Sequence, residues 1–225
     1  MKPVRPARSI PLAAVAWITA LVPLFTIHLS FVLSAHQGFV PWCLPWFEGC
    51  TSISRAARSG TSYFIYKGLM LPTCLVMAVF WLANHEWLRS LGARPGKLLW
   101  LGVLAAFFLA MYSVALGHGG EPLNLMRRIG VVGFFGFTYL AQLSVSASLL
   151  ATSLARHGRH LLGLSGFTLA IGIVSVILTV LWPEQYSRMD DGFEWSLAVL
   201  INLHTLYMAV LWQRSGFAVR FHSSG

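Results

Sequence analysis

The sequence predicts an all-α integral membrane protein whose single domain crosses the membrane six times, with both termini in the cytoplasm. The first observation is composition: the 225 residues are 56% hydrophobic and only 10% charged, whereas ordinary globular domains carry about 25% charged residues. In addition, the apolar residues are gathered into long runs, and the basic residues are unevenly distributed between those runs. Such a composition excludes a water-soluble enzyme, a disulfide-rich secreted module and a disordered chain.

The long apolar runs define the predicted helices. A membrane-spanning helix needs about 20 mostly apolar residues, because a rise of about 1.5 Å per residue must cross about 30 Å of hydrocarbon. Six segments meet this requirement, and within one domain of residues 1–225 they give the predicted spans 11–33, 62–82, 98–116, 129–154, 161–181 and 193–211. The first follows three basic residues, as a signal peptide would, but its apolar stretch exceeds the usual length of about 7–15 residues. A retained anchor is therefore favoured over a cleaved signal peptide.

The distribution of charge predicts the orientation of these spans. With six spans, both termini lie on the same side as the connections that follow spans two and four. That side carries ten basic residues and one acidic residue, Glu86, whereas the other side carries six of each. Because short cytoplasmic loops are enriched in Lys and Arg, the termini are predicted to be cytoplasmic. The net charge of +9 is thus explained by topology and anionic lipid, and no nucleic-acid partner is expected.

Tryptophan residues occur close to the predicted span ends. Amphipathic rings favour the headgroup layer at either face of a bilayer. We therefore expect interface anchors at Trp46, Trp81, Trp87, Trp100, Trp182, Trp195 and Trp212.

The longest predicted outer connection covers residues 34–61. Its aromatic residues and prolines indicate a stiff, partly apolar loop at the membrane interface, with Trp46 and Glu48 near its centre. Cys43 and Cys50 are separated by six residues on the oxidising side, so a disulfide that closes a short loop is expected. A metal site is not expected, because two thiols without a further His or Cys pair make an incomplete set of ligands.

The second outer connection, residues 117–128, combines His118, Glu121, Arg127 and Arg128 just before the fourth predicted span. Two adjacent arginines at a membrane boundary can hold a phosphate or carboxylate through bidentate hydrogen bonds. The alternative is that they only extend toward water and pair with Glu121. Because this side disfavours positive charge, the pair is a candidate headgroup site.

The third outer connection, residues 183–194, holds Asp190, Asp191 and Glu194. Clustered carboxylates can serve in acid–base chemistry or hold a cation. No partner residue is evident in the sequence, so the interpretation as a solvated loop is favoured.

Polar residues within the predicted spans are costly in lipid and are first interpreted as contacts between helices. They include Thr138, Gln142 and Ser146 in span four, with Asn202, His204 and Thr205 in span six. Glycines in span four also indicate a close helix contact, namely Gly130, Gly133 and Gly136. His28 and His204 raise the possibility of a haem b, but their predicted depths match poorly for axial ligation.

Catalytic signatures are missing from the sequence. It contains no Gly-x-Ser-x-Gly elbow, no His-Glu-x-x-His zinc helix and no phosphate-binding glycine loop. No cofactor and no metal are therefore expected, and the sequence leaves open whether the protein is an enzyme.

Two segments resemble the Frag/DRAM/Sfk-type family of six-span membrane proteins, which includes factors that remodel the lipid of GPI anchors and damage-regulated autophagy modulators. They are residues 45–54, PWFEGCTSIS, and 63–69, YFIYKGL. Ser52-Ile53-Ser54 matches the Ile-Ser or Val-Ser pair that the family carries before its second span. Relatives often have a His followed by an acid at the outer start of span four, where this chain has Arg127 and Arg128. The resemblance therefore implies a lipid-associated membrane protein more than a particular reaction.

Three hypotheses follow. In the first, the protein binds or remodels membrane lipid at the outer leaflet, with Trp46, Glu48, Ser52 and Ser54 forming one wall and His118, Glu121, Arg127 and Arg128 the other. In the second, it is a non-catalytic subunit or scaffold that packs against other membrane proteins. The third is a haem b subunit. Compact loops without an Asn-x-Ser/Thr sequon fit a bacterial inner membrane better than a eukaryotic secretory membrane.

Overall fold

The structure, a computed structural model, describes residues 8–186 and 189–221. Six long helices account for most of the chain. In chain order the elements are β1 Arg8–Pro11, α1 Ala13–His36, α2 Pro45–Glu48, α3 Ile53–Ala56, α4 Gly60–Ser90, α5 Leu98–Ala115, α6 Glu121–Leu149, α7 Ala155–Leu181, α8 Pro183–Tyr186, α9 Asp190–Ser215 and β2 Ala218–Phe221.

The six long helices, α1, α4, α5, α6, α7 and α9, are each long and apolar enough to cross a membrane. Each packs against the next along the chain, and α1 also packs against α9, which closes the set into a ring. The all-α, six-span fold predicted from the sequence is therefore confirmed, and the chain is a multi-pass membrane protein.

The two ends of the bundle differ in what they carry. At one end, β1 pairs antiparallel with β2, so that the two ends of the described chain lie side by side. Gly216 makes this possible because its φ of +63° ends α9 in the left-handed region and turns the chain back toward β1. We call this the terminus end. The opposite end, which carries residues 37–59, 116–120 and 182–186, is called the loop end.

Several helices are longer than the sequence predicted, and the largest displacements of a helix end are those of α4 and α6. α4 continues to Ser90 instead of ending near residue 82, and α6 begins at Glu121 instead of near residue 129. Hydropathy alone misses the start of α6 because its first turns are polar. Pro122 in the first turn and the acidic side chain of Glu121 both favour a helix N-terminus at this point. Arg127 and Arg128 therefore belong to a helix and not to a loop.

Several tryptophans expected at the membrane interface are instead part of the core. Trp81, Trp87, Trp195 and Trp212 are each at most 2% exposed, whereas Trp100 and Trp182 are more than half exposed. Trp87 and Trp212 pack edge to face, with ring centroids 6.2 Å apart. The sequence could not distinguish the buried tryptophans from the exposed ones by their distance from a predicted span end. The predicted ends were themselves displaced, because α4 and α9 extend beyond the predicted spans.

The contact between α5 and α6 depends on glycine. A Cβ added to Gly130 would lie 2.8 Å from the backbone nitrogen of Tyr112, and one added to Gly133 would overlap the ring of Phe108. No atom lies within 4 Å of the position of a Cβ on Gly136. The predicted helix contact is thus found at Gly130 and Gly133 but not at Gly136.

Gln142 and Ser146 of α6 bond to α9, which is the kind of helix contact that the sequence predicted for polar residues in the spans. The side-chain amide of Gln142 donates to the carbonyl of Ile201 at 2.8 Å, and the hydroxyl of Ser146 lies 3.0 Å from Nε2 of His204. All of these side chains are buried. In lipid, such bonds fix two helices relative to each other, because neither group can exchange its partner for water.

The helix α7 joins the bundle only through its first half. Its buried residues are Gly158, Leu161, Ser165 and Thr168, all on the side of the terminus end. From there to Leu181 the helix has no buried residue. At the loop end, α7 therefore stands apart from α6 and α9 and leaves a space between them.

We expect Gly130→Ala to destabilise the bundle, since the added methyl group would meet the backbone of Tyr112. Overpacking of this kind typically costs about 1–3 kcal/mol. Thermal unfolding of the purified protein in detergent measures the effect. Gly136→Ala is the matched control and should be neutral or slightly stabilising, because Ala is the better helix former by about 1 kcal/mol. Equal melting temperatures for the two variants would contradict the close contact.

Candidate functional site

A cavity of about 810 Å³ occupies the space between α6, α7 and α9 at the loop end. It is open to the outside, and it lies where α7 stands apart from the other two helices. Its walls combine charged residues with apolar ones, and they consist of Ser54, Tyr112, Arg127, Arg128, Val131, Val132, Phe135, Gly172, Ser175, Val176, Tyr186, Asp190, Phe193, Glu194 and Leu197.

The helix α6 supplies the basic wall of this cavity. Its 29 residues measure about 43 Å at a rise of about 1.5 Å per residue, which exceeds the roughly 30 Å of a hydrocarbon core. The polar first two turns are therefore the part expected to extend into the headgroup layer, and Arg127 and Arg128 belong to them. Arg127 is half-buried, Arg128 is exposed, and both line the cavity.

The alternative that the two arginines pair with Glu121 is not what the structure shows. Among residues 8–186 and 189–221, neither Arg127 nor Arg128 forms a salt bridge with an acidic side chain. Glu121 is exposed in the first turn of α6 and does not line the cavity. The two guanidinium groups are therefore available to a ligand.

The short helix α3 places Ser54 in the cavity wall. Ser52 begins this helix by accepting a hydrogen bond from the backbone N–H of Arg55 at 3.1 Å, as an N-cap residue does. The hydroxyls of Ser52 and Ser54 lie 3.3 Å apart. Arg58, one turn further on, donates to the carbonyl and to the hydroxyl of Ser54 at 3.2 and 3.4 Å.

Arg58 increases the positive charge at this end of the molecule. Partial burial lowers the pKa of its guanidinium group from the usual value, and the neighbouring charges of Arg127 and Arg55 lower it further, while Asp191 opposes them. An arginine remains protonated at any physiological pH even so. Three cationic side chains thus lie within electrostatic reach of one another beside the cavity.

The helix α9 supplies an acidic wall. The sequence favoured a solvated loop for this region, but α9 begins at Asp190, so that Asp190 and Glu194 lie one turn apart on the same helix face. Both line the cavity. Asp191 points elsewhere and lies 3.9 Å from Arg55.

Tyr112 of α5 forms the floor of the cavity. It is only 4% exposed, and its buried hydroxyl has no hydrogen-bond partner among the residues that the structure describes. The ring of Tyr66 packs edge-on against it, with centroids 6.3 Å apart. A smaller cavity of about 40 Å³ lies behind, and Tyr112 and Glu194 stand in the wall that the two spaces share.

Trp46 and Glu48, predicted to form a wall of the site, do not line the cavity. The ring of Trp46 lies against His28 and Trp195, at centroid distances of 5.1 and 6.0 Å. Glu48 accepts a hydrogen bond from the backbone N–H of Leu44 and so closes the turn of α2. Trp46 thus attaches the segment 42–51 to α1 and α9, and Glu48 stabilises the turn within the segment, so both roles are structural.

A disulfide between Cys43 and Cys50 closes the same segment. Gly49 between α2 and this bridge has a φ of +57°, which only glycine adopts without strain. On the neighbouring helix, Gly192 allows a close approach, because a Cβ at this position would lie 3.1 Å from the carbonyl oxygen of Trp46. The disulfide and the close contact with α9 at Gly192 therefore both restrain residues 42–51.

His118 was predicted to share a wall with the arginine pair, but it belongs to a different group. Its Nε2 lies 3.1 Å from the ammonium of Lys67, which also donates to the hydroxyl of Tyr63 at 2.9 Å and to the carbonyl of Val114 at 3.0 Å. Lys67 thereby satisfies a carbonyl at the end of α5. Of the predicted second wall, the cavity contains Arg127 and Arg128 but neither His118 nor Glu121.

The two histidines considered as haem ligands have other neighbours. Nδ1 of His28 lies 2.6 Å from the carbonyl of Leu24, and Nε2 of His204 lies 3.0 Å from the hydroxyl of Ser146. Within the described part of the chain, no group of three or more His, Cys, Asp or Glu side chains is placed to hold a metal ion. The contacts of the two histidines give the haem hypothesis no support.

Sequence reasoning missed Arg58 and Tyr112, and it named Glu194 only within a segment for which it favoured a solvated loop. A signal existed for the first, since Arg58 follows Ser54 by one helical turn. A signal also existed for Glu194, which follows Asp190 at the same spacing. No local pattern indicates Tyr112, because its role depends on the packing of α5 against α6.

Comparisons with protein families, with curated proteins and with solved structures find no match. The resemblance to the Frag/DRAM/Sfk-type family therefore stays a prediction that rests on residues 45–54 and 63–69.

We expect Trp195→Phe to loosen the segment 42–51. The indole N–H of Trp195 donates to the buried carbonyl of Thr51 at 2.8 Å, and an unsatisfied buried carbonyl costs about 1–3 kcal/mol. Hydrogen exchange of residues 42–52 should accelerate in the variant. Trp182→Phe is the control, because Trp182 lies at the same end but is 51% exposed. Unchanged exchange in Trp195→Phe would show that this bond does not hold the segment.

Proposed function

We propose that the protein binds a membrane phospholipid at the outer leaflet, in the cavity between α6, α7 and α9. Arg127 and Arg128 hold the headgroup phosphate, and the acyl chains leave through the side opening along the apolar face of α7. The Frag/DRAM/Sfk-type resemblance, which implies a lipid-associated protein, supports the same ligand class.

The observation that carries this proposal is the position of two guanidinium groups without a salt bridge among the described residues, in a cavity that also has an extended apolar wall. Val131, Val132 and Phe135 continue the wall of α6 below the arginines. On the facing helix, Val176 lines the cavity, and Val180 beyond it is 74% exposed. A phospholipid has the same division into a charged head and an apolar tail.

The site is better suited to binding than to acyl transfer. A nucleophilic serine needs a base within hydrogen-bond distance. In the described residues the hydroxyl of Ser54 contacts only the hydroxyl of Ser52 and the guanidinium of Arg58, and neither acts as a base at neutral pH. Ser54 is therefore assigned a role in shaping the wall.

Four of the residues on which the scaffold hypothesis was based make contacts within this chain. Gln142 and Ser146 bond to α9 of the same chain, and Gly130 and Gly133 pack against α5. None of these four is left to form the centre of a contact with another membrane protein.

We expect the double variant Arg127→Gln/Arg128→Gln to lose co-purifying phospholipid by tenfold or more. A hydrogen bond to a charged group contributes about 1.5–3 kcal/mol, and about 1.4 kcal/mol corresponds to a tenfold change in affinity. Quantitative mass spectrometry of the lipids retained by protein purified in one detergent measures the loss.

The matched control is Arg156→Gln/Arg159→Gln, which removes two exposed arginines at the terminus end. This control should retain wild-type amounts of lipid. Equal retention by both double variants, with both proteins folded, would refute the headgroup site.

A further inference from the structure

The charge pattern of the cavity identifies the class of headgroup, on the assumption that the proposed phospholipid site is correct. We propose that the cavity selects a phosphoethanolamine headgroup, with Arg127 and Arg128 holding the phosphate and Glu194 and Asp190 holding the primary ammonium. The ligand is then a zwitterionic phospholipid of the phosphatidylethanolamine type.

Side chains of opposite charge line the same cavity without forming a salt bridge with each other. Arg127 and Arg128 come from α6, whereas Asp190 and Glu194 come from α9, and all four line the cavity. No salt bridge within 4.0 Å joins the two pairs among the described residues, where the acidic partner of Arg55 is Asp191. A ligand with one negative and one positive group can satisfy both walls at once.

The environment of Glu194 favours a ligand of positive charge, because a partly buried carboxylate without a salt bridge is unfavourable. Glu194 is only partly exposed, and it stands in the wall shared with the smaller cavity, whose lining is mostly apolar. Neighbouring carboxylates at Asp191 and Asp190 add repulsion. A ligand ammonium beside Glu194 relieves both penalties, because it supplies positive charge and hydrogen-bond donors together.

The hydroxyl of Tyr112, which also lines the cavity, supports the same ligand independently. The hydroxyl of Tyr112 is buried and unpartnered in the described structure, and Tyr112 lies within electrostatic reach of Glu194, Arg127 and Arg58. A buried hydroxyl without a partner costs free energy comparable to a lost hydrogen bond. A phosphate oxygen or an ammonium in the cavity would satisfy it.

The chemistry of the ammonium then separates the common headgroups. A primary ammonium donates three hydrogen bonds, as a lysine side chain does, and suits two carboxylates one helical turn apart. A choline headgroup has the charge but no N–H to donate. A phosphatidylglycerol headgroup has no positive charge, so it would leave Glu194 and Asp190 facing a net negative ligand.

The experiment uses native mass spectrometry to measure lipid binding by the delipidated full-length protein in detergent. The three lipids, phosphatidylethanolamine, phosphatidylcholine and phosphatidylglycerol, share the same acyl chains. Wild type should favour phosphatidylethanolamine over each of the others by about tenfold or more. In Glu194→Gln this preference should fall to within about twofold, while total phospholipid binding persists. Glu194→Asp, which retains a carboxylate, should keep most of the preference for phosphatidylethanolamine. This result would show that the loss of preference in Glu194→Gln is due to the missing charge and not to altered packing.

Glu121→Gln is the matched control, since Glu121 is exposed on α6 and lies outside the cavity. It should keep the wild-type preference. Soluble glycerophosphoethanolamine should bind at least tenfold more weakly than the lipid, because it has no acyl chains to occupy the apolar walls. Binding as strong as that of the lipid would overturn the assignment to a membrane lipid.

Two failures are distinguishable. If wild type binds the three lipids equally and Arg127→Gln/Arg128→Gln loses all of them, the phospholipid site stands and the selection of phosphoethanolamine is wrong. If the arginine variant binds every lipid as wild type does, the proposed function itself is wrong.

Discussion

The hydrogen bond from the side chain of Gln142 to the carbonyl of Ile201 joins α6 to α9 within the apolar part of the bundle. Ser146 and His204 reinforce it closer to the terminus end. Because such groups have no alternative partner in lipid, the two helices are fixed at this level, and the space between their loop-end halves depends on this anchor. α7 packs against α6 at Gly158, where a Cβ would lie 3.0 Å from the carbonyl of Ser146. Beyond Thr168 it has no buried residue, and a cavity opens.

The helices that bound this cavity carry charges of opposite sign. The basic wall consists of Arg127 and Arg128, which sit in the first turns of a helix longer than a hydrocarbon core requires. Glu194 and Asp190 lie on the facing helix because α9 begins at Asp190 and so brings the acids onto one face. The fold thus keeps the basic wall on α6 apart from the acidic wall on α9. A ligand with one negative and one positive group can therefore bind to both walls at once.

Much of the fold could be predicted from the sequence, and less of the site. Six spans follow from hydropathy because lipid permits few other structures for a long apolar run. Helix ends were harder, since the polar first turns of α6 resemble a loop when hydropathy alone is considered. For this reason Arg127 and Arg128 were found as candidates but assigned to the wrong kind of segment. Trp46 and His118 were expected in the site, yet they contact Trp195 and Lys67 respectively. Such contacts depend on the order of helices around the ring, which no local pattern encodes.

Blocking the cavity tests its role most directly. Gly172 lines the cavity, and a Cβ at this position would meet nothing within 4 Å. Gly172→Phe should therefore fill the space without disturbing the packing of α7. Gly163→Phe places the same ring on the same helix at another position with no atom within 4 Å, outside the cavity. We predict that Gly172→Phe loses its bound phospholipid at unchanged thermal stability, while Gly163→Phe retains it. Full retention of lipid by Gly172→Phe would contradict the account.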